Sequence, residues 1–279
     1  MAEKTSSNQL LGLTARWTAG VRARESARTD HLFDDPWAEA LVGKEGMEWL
    51  AQRPEDSTLP MAIRTRFFDD FLLNISRRYA IRQVVLMAAG LDTRAFRIDW
   101  PAGICLFELD QPEVLQYKEE ILHASGARPA CQRQLIEVDL TNPWQEKLLG
   151  GNFDAKLPSV WLLEGFLFYL SNESITQILD GVTSLAAPGS WMGFDIINSA
   201  MLTSTWTRPW VEMQAGMGAP WIGTLDAPQV FLARRGWQAT LTQAGASDAN
   251  YGRWKLPVLP VMAPELPHNW FVTAQKQLS

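Results

Sequence analysis

Residues 82–110, RQVVLMAAGLDTRAFRIDWPAGICLFELD, contain the pattern from which the fold is predicted. The segment 83–87 is short, apolar and β-branched, which is typical of a buried strand. The small side chains of 88–90, Ala-Ala-Gly, allow the backbone to approach a ligand closely. A second apolar segment, 104–109, ends at Asp110, twenty residues after this turn. A small-residue turn after one strand and a carboxylate at the end of the next predict a parallel nucleoside-binding sheet, in which the acid accepts hydrogen bonds from ribose hydroxyls.

The turn distinguishes between two ligands that such a sheet can bind. A dinucleotide site has the pattern G-x-G-x-x-G, with the pyrophosphate at a helix N-terminus. Here Gly90 is followed by Leu-Asp-Thr-Arg, without a second or third glycine. The carboxylate of Asp92 would repel a pyrophosphate but attract a ligand that carries sulfonium and ammonium cations. The residues therefore favour S-adenosylmethionine over NAD. An NAD oxidoreductase is the rival, and a plain strand-turn-helix is the alternative without a ligand.

Four motifs in this order resemble the leucine carboxyl methyltransferase superfamily, most closely its bacterial branch of small-molecule S-adenosylmethionine-dependent methyltransferases. They are AAGLDTRAFR at 88–97, FELDQP at 107–112, Asp-Leu at 139–140 and WLLEGFLFYL at 161–170. The resemblance covers roughly residues 14–197 and implies the fold and the cofactor, but it does not specify the substrate. One departure is Ala88, where many members have a glycine, so that an extra methyl group could crowd the ligand.

The resemblance also implies which residues hold the cofactor. An arginine on the helix predicted at 60–78 would pair with the ligand carboxylate, and Arg64 matches by position, with Arg66 close to it. Asp139 would accept from the adenine amine, although the residues alone fit a cap of the next helix equally well. Glu164 would contact the ligand ammonium group or lie beside it. The predicted cofactor-binding residues are Arg64, Arg66, Ala88, Ala89, Gly90, Asp92, Arg94, Glu108, Asp110, Gln111, Asp139, Leu140, Glu164 and Gly165.

The order of predicted strands and helices gives the fold class. Strands predicted at 83–87, 104–109, 134–138, 159–163 and 190–197 alternate with helices, which requires a parallel sheet covered on both faces. Later segments at 237–243 and 270–274 fit the reversed hairpin that methyltransferases of this type add at one edge. We therefore predict a doubly wound, mostly parallel, seven-stranded Rossmann-like α/β fold in a single domain. Its parts are a helical cap (1–80), a cofactor-binding core (81–197), a substrate lid (198–228) and C-terminal edge strands (229–279).

The lid segment interrupts the strand-helix alternation after the fifth strand. Aromatic and methionine side chains are interleaved there with Gly and Pro, which suits an apolar, bulky substrate at the mouth of the crevice. The alternative is a lid helix whose aromatic side chains only pack on the domain. The predicted substrate-binding residues are Trp206, Trp210, Met213 and Trp221.

Few residues are candidates for catalysis. In methyl transfer from a sulfonium, an enzyme mainly aligns donor and acceptor and excludes water. A carboxylate acceptor needs no base, whereas an alcohol or phenol does. Tyr169 is close enough to the end of the fourth strand to line the transfer site, and His31 lies in the predicted cap. These two are the predicted catalytic residues; no metal-ligand spacing is visible.

Composition limits the class of partner. The 279-residue chain has a net charge of −6, which argues against nucleic acid because phosphate binding needs a basic face. No apolar segment is as long as a membrane span, and MAEKTSSNQL at the N-terminus does not resemble a secretion signal. The two cysteines give no disulfide framework, so we expect a cytoplasmic protein.

Together these features predict an S-adenosylmethionine-dependent methyltransferase that methylates oxygen on a small apolar metabolite, for example an intermediate of secondary metabolism. We expect a monomer or homodimer that binds neither nucleic acid nor membrane. One alternative is methylation of a protein carboxyl group. Another is a catalytically silent S-adenosylmethionine-binding protein with a regulatory role.

Overall fold

A seven-stranded sheet organises residues 7–278, the part of the chain that the computed structural model describes; side chains are described from residue 14 onward except at 45, 55 and 56. The strand order is β3-β2-β1-β4-β5-β7-β6, with β7 antiparallel to both of its neighbours and the other pairs parallel. The strands are β1 (Gln83–Met87), β2 (Cys105–Asp110), β3 (Gln132–Glu137), β4 (Ser159–Leu163), β5 (Trp191–Ile197), β6 (Trp237–Thr242) and β7 (Asn269–Lys276). The predicted α/β fold class is confirmed.

Helices cover both faces of this sheet. They are α1 (Ser7–Ser26), α2 (Ala38–Ala51), α3 (Leu59–Arg78), α4 (Arg94–Arg97), α5 (Pro112–Ala124), α6 (Gln145–Gly150), α7 (Asn172–Leu185), α8 (Ser199–Thr203), α9 (Arg208–Gly216) and α10 (Pro228–Ala233). Side chains alternate between the faces along each strand. Val84 and Leu86 therefore pack with the apolar stripe of α3, whereas Val85 and Met87 pack in the core that contains α7.

The first two helices pack as a pair over the carboxyl edge of the sheet. Trp17 of α1 stacks on Trp49 of α2 with ring centroids 5.4 Å apart. A second cluster packs α1 and α2 against Leu91 in the turn after β1. The helical cap is thereby positioned beside the predicted nucleoside site.

The segment 198–228 contains α8 and α9 and then a stretch without regular secondary structure. Its Ala219 and Met217 pack with Trp17 and Trp49, so this segment meets the cap above the sheet. Within the described residues, no helix is both long enough and apolar enough to cross a membrane. The predicted boundaries of cap, core, lid and edge strands remain predictions.

Candidate active site

A large cavity opens at the carboxyl ends of β1, β2 and β4, between the cap and the segment 198–228. Ligands of open α/β sheets bind at this edge. Its volume is about 1170 Å³, whereas ligand pockets commonly measure roughly 300–1,000 Å³. The cavity is therefore large enough for a cofactor together with a second molecule.

The turn after β1 forms one wall of the cavity and has an unusual backbone. Ala88 and Gly90 both have left-handed conformations, with φ of +51° and +50°. Glycine adopts this region freely, whereas an alanine there is strained by roughly 1–2 kcal/mol. The Ala89 N–H donates to the Leu109 carbonyl at 3.0 Å, which ties the turn to the end of β2. The departure at position 88 therefore lies at a backbone site that favours glycine.

Asp110 at the end of β2 faces the same cavity as this turn. Its Oδ2 accepts from the Gly90 N–H at 2.6 Å, and its Oδ1 accepts from the Gln111 N–H at 2.7 Å. A carboxylate offers about four acceptor positions, so each oxygen can accept a further bond from a ligand. Burial raises the pKa of Asp110 above its ordinary value, despite these two backbone donors. Its position and free acceptor capacity fit the ribose of the predicted adenosyl ligand.

A buried cluster of ion pairs forms the floor beside the turn. Arg94 Nε binds Asp69 at 2.7 Å, Nη2 binds Glu164 at 2.7 Å, and Nη1 binds Asp92. Burial alone would raise the pKa of Asp92, but Arg94 and other nearby cations outweigh it and lower that pKa to about 2. The pKa of Glu164 is also lowered, because Arg94 and Arg64 outweigh its burial. Both acids are therefore held as carboxylates.

Arg64 joins this cluster to β5. Its Nε lies 3.0 Å from Glu164 and its Nη1 lies 2.8 Å from Asp195, whose other oxygen accepts from the Gly165 N–H at 2.6 Å. Nη2 forms no hydrogen bond with the described residues. Gly165 has a φ of +67°, and a Cβ there would lie 3.1 Å from Arg64 Nη2. The left-handed backbone conformation and the nearby guanidinium group thus both favour glycine at position 165.

Several residues of the ionic cluster were not predicted from the sequence: Asp35, Asp69, Arg97 and Asp195. Asp195 is fully buried within β5, and Asp69 is buried on α3. The available signal was a charged residue inside an otherwise apolar stretch, since a buried carboxylate without a partner is costly. The structure describes no group of His, Cys, Asp and Glu side chains that could hold a metal ion.

Most of the predicted site residues meet in one place. Those that line the cavity are Arg64, Ala88, Ala89, Gly90, Asp92, Arg94, Asp110, Gln111, Asp139, Leu140, Glu164, Gly165, Tyr169, Trp210, Met213 and Trp221. Asp139 accepts from the Thr141 N–H at 2.9 Å and from Asn142 Nδ2 at 3.0 Å. It therefore closes an Asx turn and does not cap α6, which begins at Gln145. Its predicted contact with adenine remains a prediction.

Two predicted cofactor residues lie away from the cavity. Arg66 is two residues beyond Arg64 and so points about 200° around the helix, where it pairs with Asp70 at 3.0 Å. Glu108 lies two residues before the end of β2, where Lys118 at 2.8 Å and Arg133 at 2.6 Å neutralise it. Asp70 lies on α3 itself, whereas Lys118 lies on α5 and Arg133 on β3, and these partners hold Arg66 and Glu108 away from the ligand edge.

The structure also leaves two other predicted residues outside the cavity. His31 is exposed, and its Nδ1 lies 2.9 Å from the Arg28 carbonyl oxygen in the loop between α1 and α2. Trp206 is 73% exposed because it lies in the turn between α8 and α9 and points to solvent. No histidine is among the described residues that line the cavity.

Tyr169 is the predicted catalytic residue that does line the cavity. Its ring packs against Phe168 with centroids 4.8 Å apart. Burial raises the pKa of Tyr169 above its ordinary value. The phenol is therefore neutral near pH 7 and suits a hydrogen-bond donor better than a base.

Comparison with known proteins identifies the family. The profile of the leucine carboxyl methyltransferase family matches residues 15–183. A relative from Parafrankia sp. is 37% identical over 281 residues and covers 95% of this chain and 87% of its own length. Another, from Saccharopolyspora erythraea, is 36% identical and covers 87% of this chain and 88% of its own length. Both are provisionally named S-adenosyl-L-methionine-dependent methyltransferases.

Two solved structures share the fold. A DUF574 family protein from Streptomyces avermitilis has a TM-score of 0.60 and 14% identity, over 94% of this chain and 97% of that one. A protein from Thermobifida fusca, titled as a methyltransferase, has a TM-score of 0.59 and 15% identity, over 95% and 94%. The cofactor is S-adenosylmethionine, and the cavity residues Asp110, Arg64 and Glu164 fit it. The chain therefore belongs to the leucine carboxyl methyltransferase family and is an S-adenosylmethionine-dependent methyltransferase.

Proposed function

We propose that this enzyme methylates an oxygen atom of a small, largely apolar metabolite, such as an intermediate of secondary metabolism. The part of the cavity beyond the cofactor residues supports this proposal. Its walls include Trp49 from the cap, Trp210, Met213 and Trp221 from the segment 198–228, and Trp254. Aromatic and thioether side chains adapt to planar or irregular apolar molecules.

The residues around the turn after β1 would hold the cofactor. When bound, S-adenosylmethionine supplies a methyl group on a positively charged sulfur atom. Asp110 would accept from the ribose hydroxyls, and Arg64 Nη2 would donate to the ligand carboxylate. Glu164 and Asp92 favour the ligand ammonium group, because the ionic cluster holds them as carboxylates.

The chemistry of the lining favours an acceptor oxygen that is already acidic. The described lining contains no histidine, and its carboxylates accept hydrogen bonds from protein groups. Because its pKa is raised, the Tyr169 phenol is protonated at neutral pH and is a poor general base. A carboxylate or an acidic phenol or enol requires no base from the protein, so acceptors of this kind suit the site.

The size of the acceptor is limited by the contact between cap and lid. Trp17, Trp49, Met217 and Ala219 pack together above the sheet, and Tyr169 joins them. A small molecule can be enclosed beneath this roof, which also excludes water from the transfer site. We therefore propose a small-molecule partner for the enzyme.

Transfer of a labelled methyl group tests the proposal. The full-length enzyme is incubated with methyl-labelled S-adenosylmethionine and an extract of a bacterium that carries this sequence. We expect label in a small organic-soluble product, and mass spectrometry should locate it on oxygen; release of methanol by mild alkali would identify an ester. Label on protein, label on nitrogen, or cofactor binding without any transfer would contradict the proposal.

A further inference from the structure

Arg53 is a cation with unusual partners. It lies in the acceptor part of the cavity, whose apolar wall is formed by Trp49, Trp210, Met213, Trp221 and Trp254. It follows the C-terminal end of α2 and lines the cavity. Its guanidinium carbon lies 4.2 Å from the centroid of the Trp49 ring. Nη2 points at the sulfur atoms of Met217 and Met213, at 3.1 and 3.5 Å, and Nη1 lies 3.5 Å from the Trp49 carbonyl oxygen. No described carboxylate lies within ion-pair distance of this guanidinium.

The other arginines in the described lining are paired differently. Arg22, Arg64 and Arg94 each bind a buried carboxylate at 2.7–2.8 Å. Thioether sulfur is only a weak hydrogen-bond acceptor, so it cannot replace a carboxylate for Arg53. Burial lowers the pKa of Arg53, and no acid opposes that effect. The guanidinium group therefore keeps most of its donor capacity for a ligand.

The charges of the cavity are separated between its walls. Asp92, Asp110 and Glu164 lie at the edge of the sheet, where a cationic sulfonium ligand is favoured. Arg53 instead lies between α2 and α9, next to the apolar acceptor wall. A positively charged group in an apolar wall favours an anion at that place, and a guanidinium matches a carboxylate with two parallel hydrogen bonds.

We propose that Arg53 is a specificity-determining residue that binds an anionic group of the methyl acceptor, so that the substrate is an apolar organic acid. The proposal rests on the function proposed above and names its substrate class. Trp49 supports the guanidinium by stacking, and the apolar body of the acid packs against the aromatic and methionine side chains of the acceptor wall. The two methionine sulfurs are displaced from Arg53 Nη2 when the anion binds.

Equilibrium binding of matched probes tests this inference. The full-length protein is saturated with S-adenosylhomocysteine and titrated by calorimetry at neutral pH with benzoate, 2-naphthoate and octanoate, and with the carboxamide of each. We expect at least one carboxylate to bind about tenfold or more tightly than its amide, as a charge-assisted bidentate bond implies. In Arg53→Gln this preference should disappear, while the affinity of the amide stays the same.

A control variant removes an arginine outside the cavity, so that the net charge changes by the same amount. Arg128 is exposed and outside the cavity, so Arg128→Gln should keep the preference for the carboxylate. The affinity of each variant for S-adenosylhomocysteine shows that the cofactor part of the site is intact. A preference that survives in Arg53→Gln, or three carboxylates that bind no better than their amides, would overturn the inference. Because this titration needs no turnover, it can fail while labelled methyl transfer still supports the proposed function.

Discussion

At the scale of single residues, Asp110 has two tasks that the same carboxylate performs. It fixes the turn after β1 through the Gly90 N–H, and it faces the cavity in which we propose that the cofactor binds. Ribose hydroxyls donate stronger hydrogen bonds to the ionised carboxylate than to the protonated carboxyl group. Binding of a ligand that prefers the carboxylate lowers the pKa of Asp110. The ligand therefore binds more weakly at a pH at which Asp110 is protonated in the free protein.

We predict that Asp110→Asn lowers the affinity for S-adenosylhomocysteine by about ten- to a hundredfold, the loss of one or two charge-assisted hydrogen bonds. Since burial raises the pKa of Asp110, wild-type affinity should also fall as the pH is lowered toward that pKa. The variant should lack this pH dependence. Calorimetric titrations between pH 7 and 4.5 measure both effects. Glu137→Gln, an exposed acid paired in register with Asp110 on β3, is the control and should bind as the wild type does.

Ala88 gives a second test at this scale. Glycine would relieve its left-handed strain of roughly 1–2 kcal/mol but lose roughly 0.5–1 kcal/mol through chain entropy. Ala88→Gly should therefore raise the free energy of unfolding by about 0.5–1 kcal/mol in urea titrations. Ala80, also left-handed with a φ of +53° but exposed after α3, is the matched control for strain. Ala80→Gly should give a similar gain in stability, and only Ala88→Gly should change the cofactor affinity; a loss of stability in both would refute the strain argument.

At the scale of secondary-structure elements, the sequence predicts the buried strands well and the edge strand less well. The bounds of β1 and β4 agree with prediction because both are continuous apolar stretches. β3 begins two residues before its predicted start, since Gln132 is exposed and Arg133 is charged, so that neither carries an apolar signal. The acids at strand ends, Asp110 and Glu164, were predictable because topology brings strand ends together.

The ionic partners inside the fold could not be predicted in the same way. Asp69 and Asp195 are separated by 126 residues, and each meets its arginine only after α3, α4 and β5 have packed. An acid within an apolar segment indicates that a partner exists, but sequence spacing does not identify it. Arg66 shows the converse case, because this candidate lies close to Arg64 in sequence but points to another side of the helix.

The attachment of α1 gives a prediction at this scale. Arg22 Nε binds Asp35 at 2.7 Å and Nη2 donates to the Leu91 carbonyl at 2.5 Å, which joins the cap to the turn after β1. We predict that Arg22→Met destabilises the protein by about 3 kcal/mol, because the buried Asp35 carboxylate loses its ion pair at 2.7 Å and keeps Arg97, at 3.8 Å, as its charged partner. Hydrogen exchange should accelerate in α1 before it does in β1, and cofactor affinity should fall.

A surface ion pair provides the comparison for this variant. Arg235 binds Asp180 at 2.5 Å, where Asp180 is 53% exposed, so Arg235→Met should cost less than about 1 kcal/mol. Equal effects of the two substitutions on unfolding, or unchanged exchange in α1, would show that Arg22 does not attach the cap.

At the scale of the whole molecule, the ionic cluster connects the cap, α3, the turn after β1 and the central strands. The chain of contacts runs from Arg22 through Asp35 and Arg97 to Asp69, and from there through Arg94 and Glu164 to Arg64 and Asp195. The groups that we propose to position the cofactor therefore also join distant parts of the chain. The pKa values of Asp35, Asp92 and Glu164 are lowered by these cations, so protonation of these three acids should weaken the fold and the site together.

Asp92 makes this coupling measurable, because its pKa of about 2 in the folded protein lies below its ordinary value of 3.8. A pKa that is lower in the folded than in the unfolded protein stabilises the fold at pH values above the unfolded pKa. This stabilisation is lost as the pH falls from 3.8 through 2. The shift corresponds to about 2 kcal/mol. The raised pKa values of Asp110 and Asp195 act in the opposite direction, so a comparison with a variant is needed to isolate Asp92. Between pH 5 and 2, the wild type should lose about 2 kcal/mol more unfolding free energy than Asp92→Asn does, as measured by urea titration. Asp99→Asn, which removes an acid whose side chain is 97% exposed, should follow the wild-type curve of unfolding free energy against pH. Parallel curves for the wild type and Asp92→Asn would mean that the cluster does not hold Asp92 as a carboxylate.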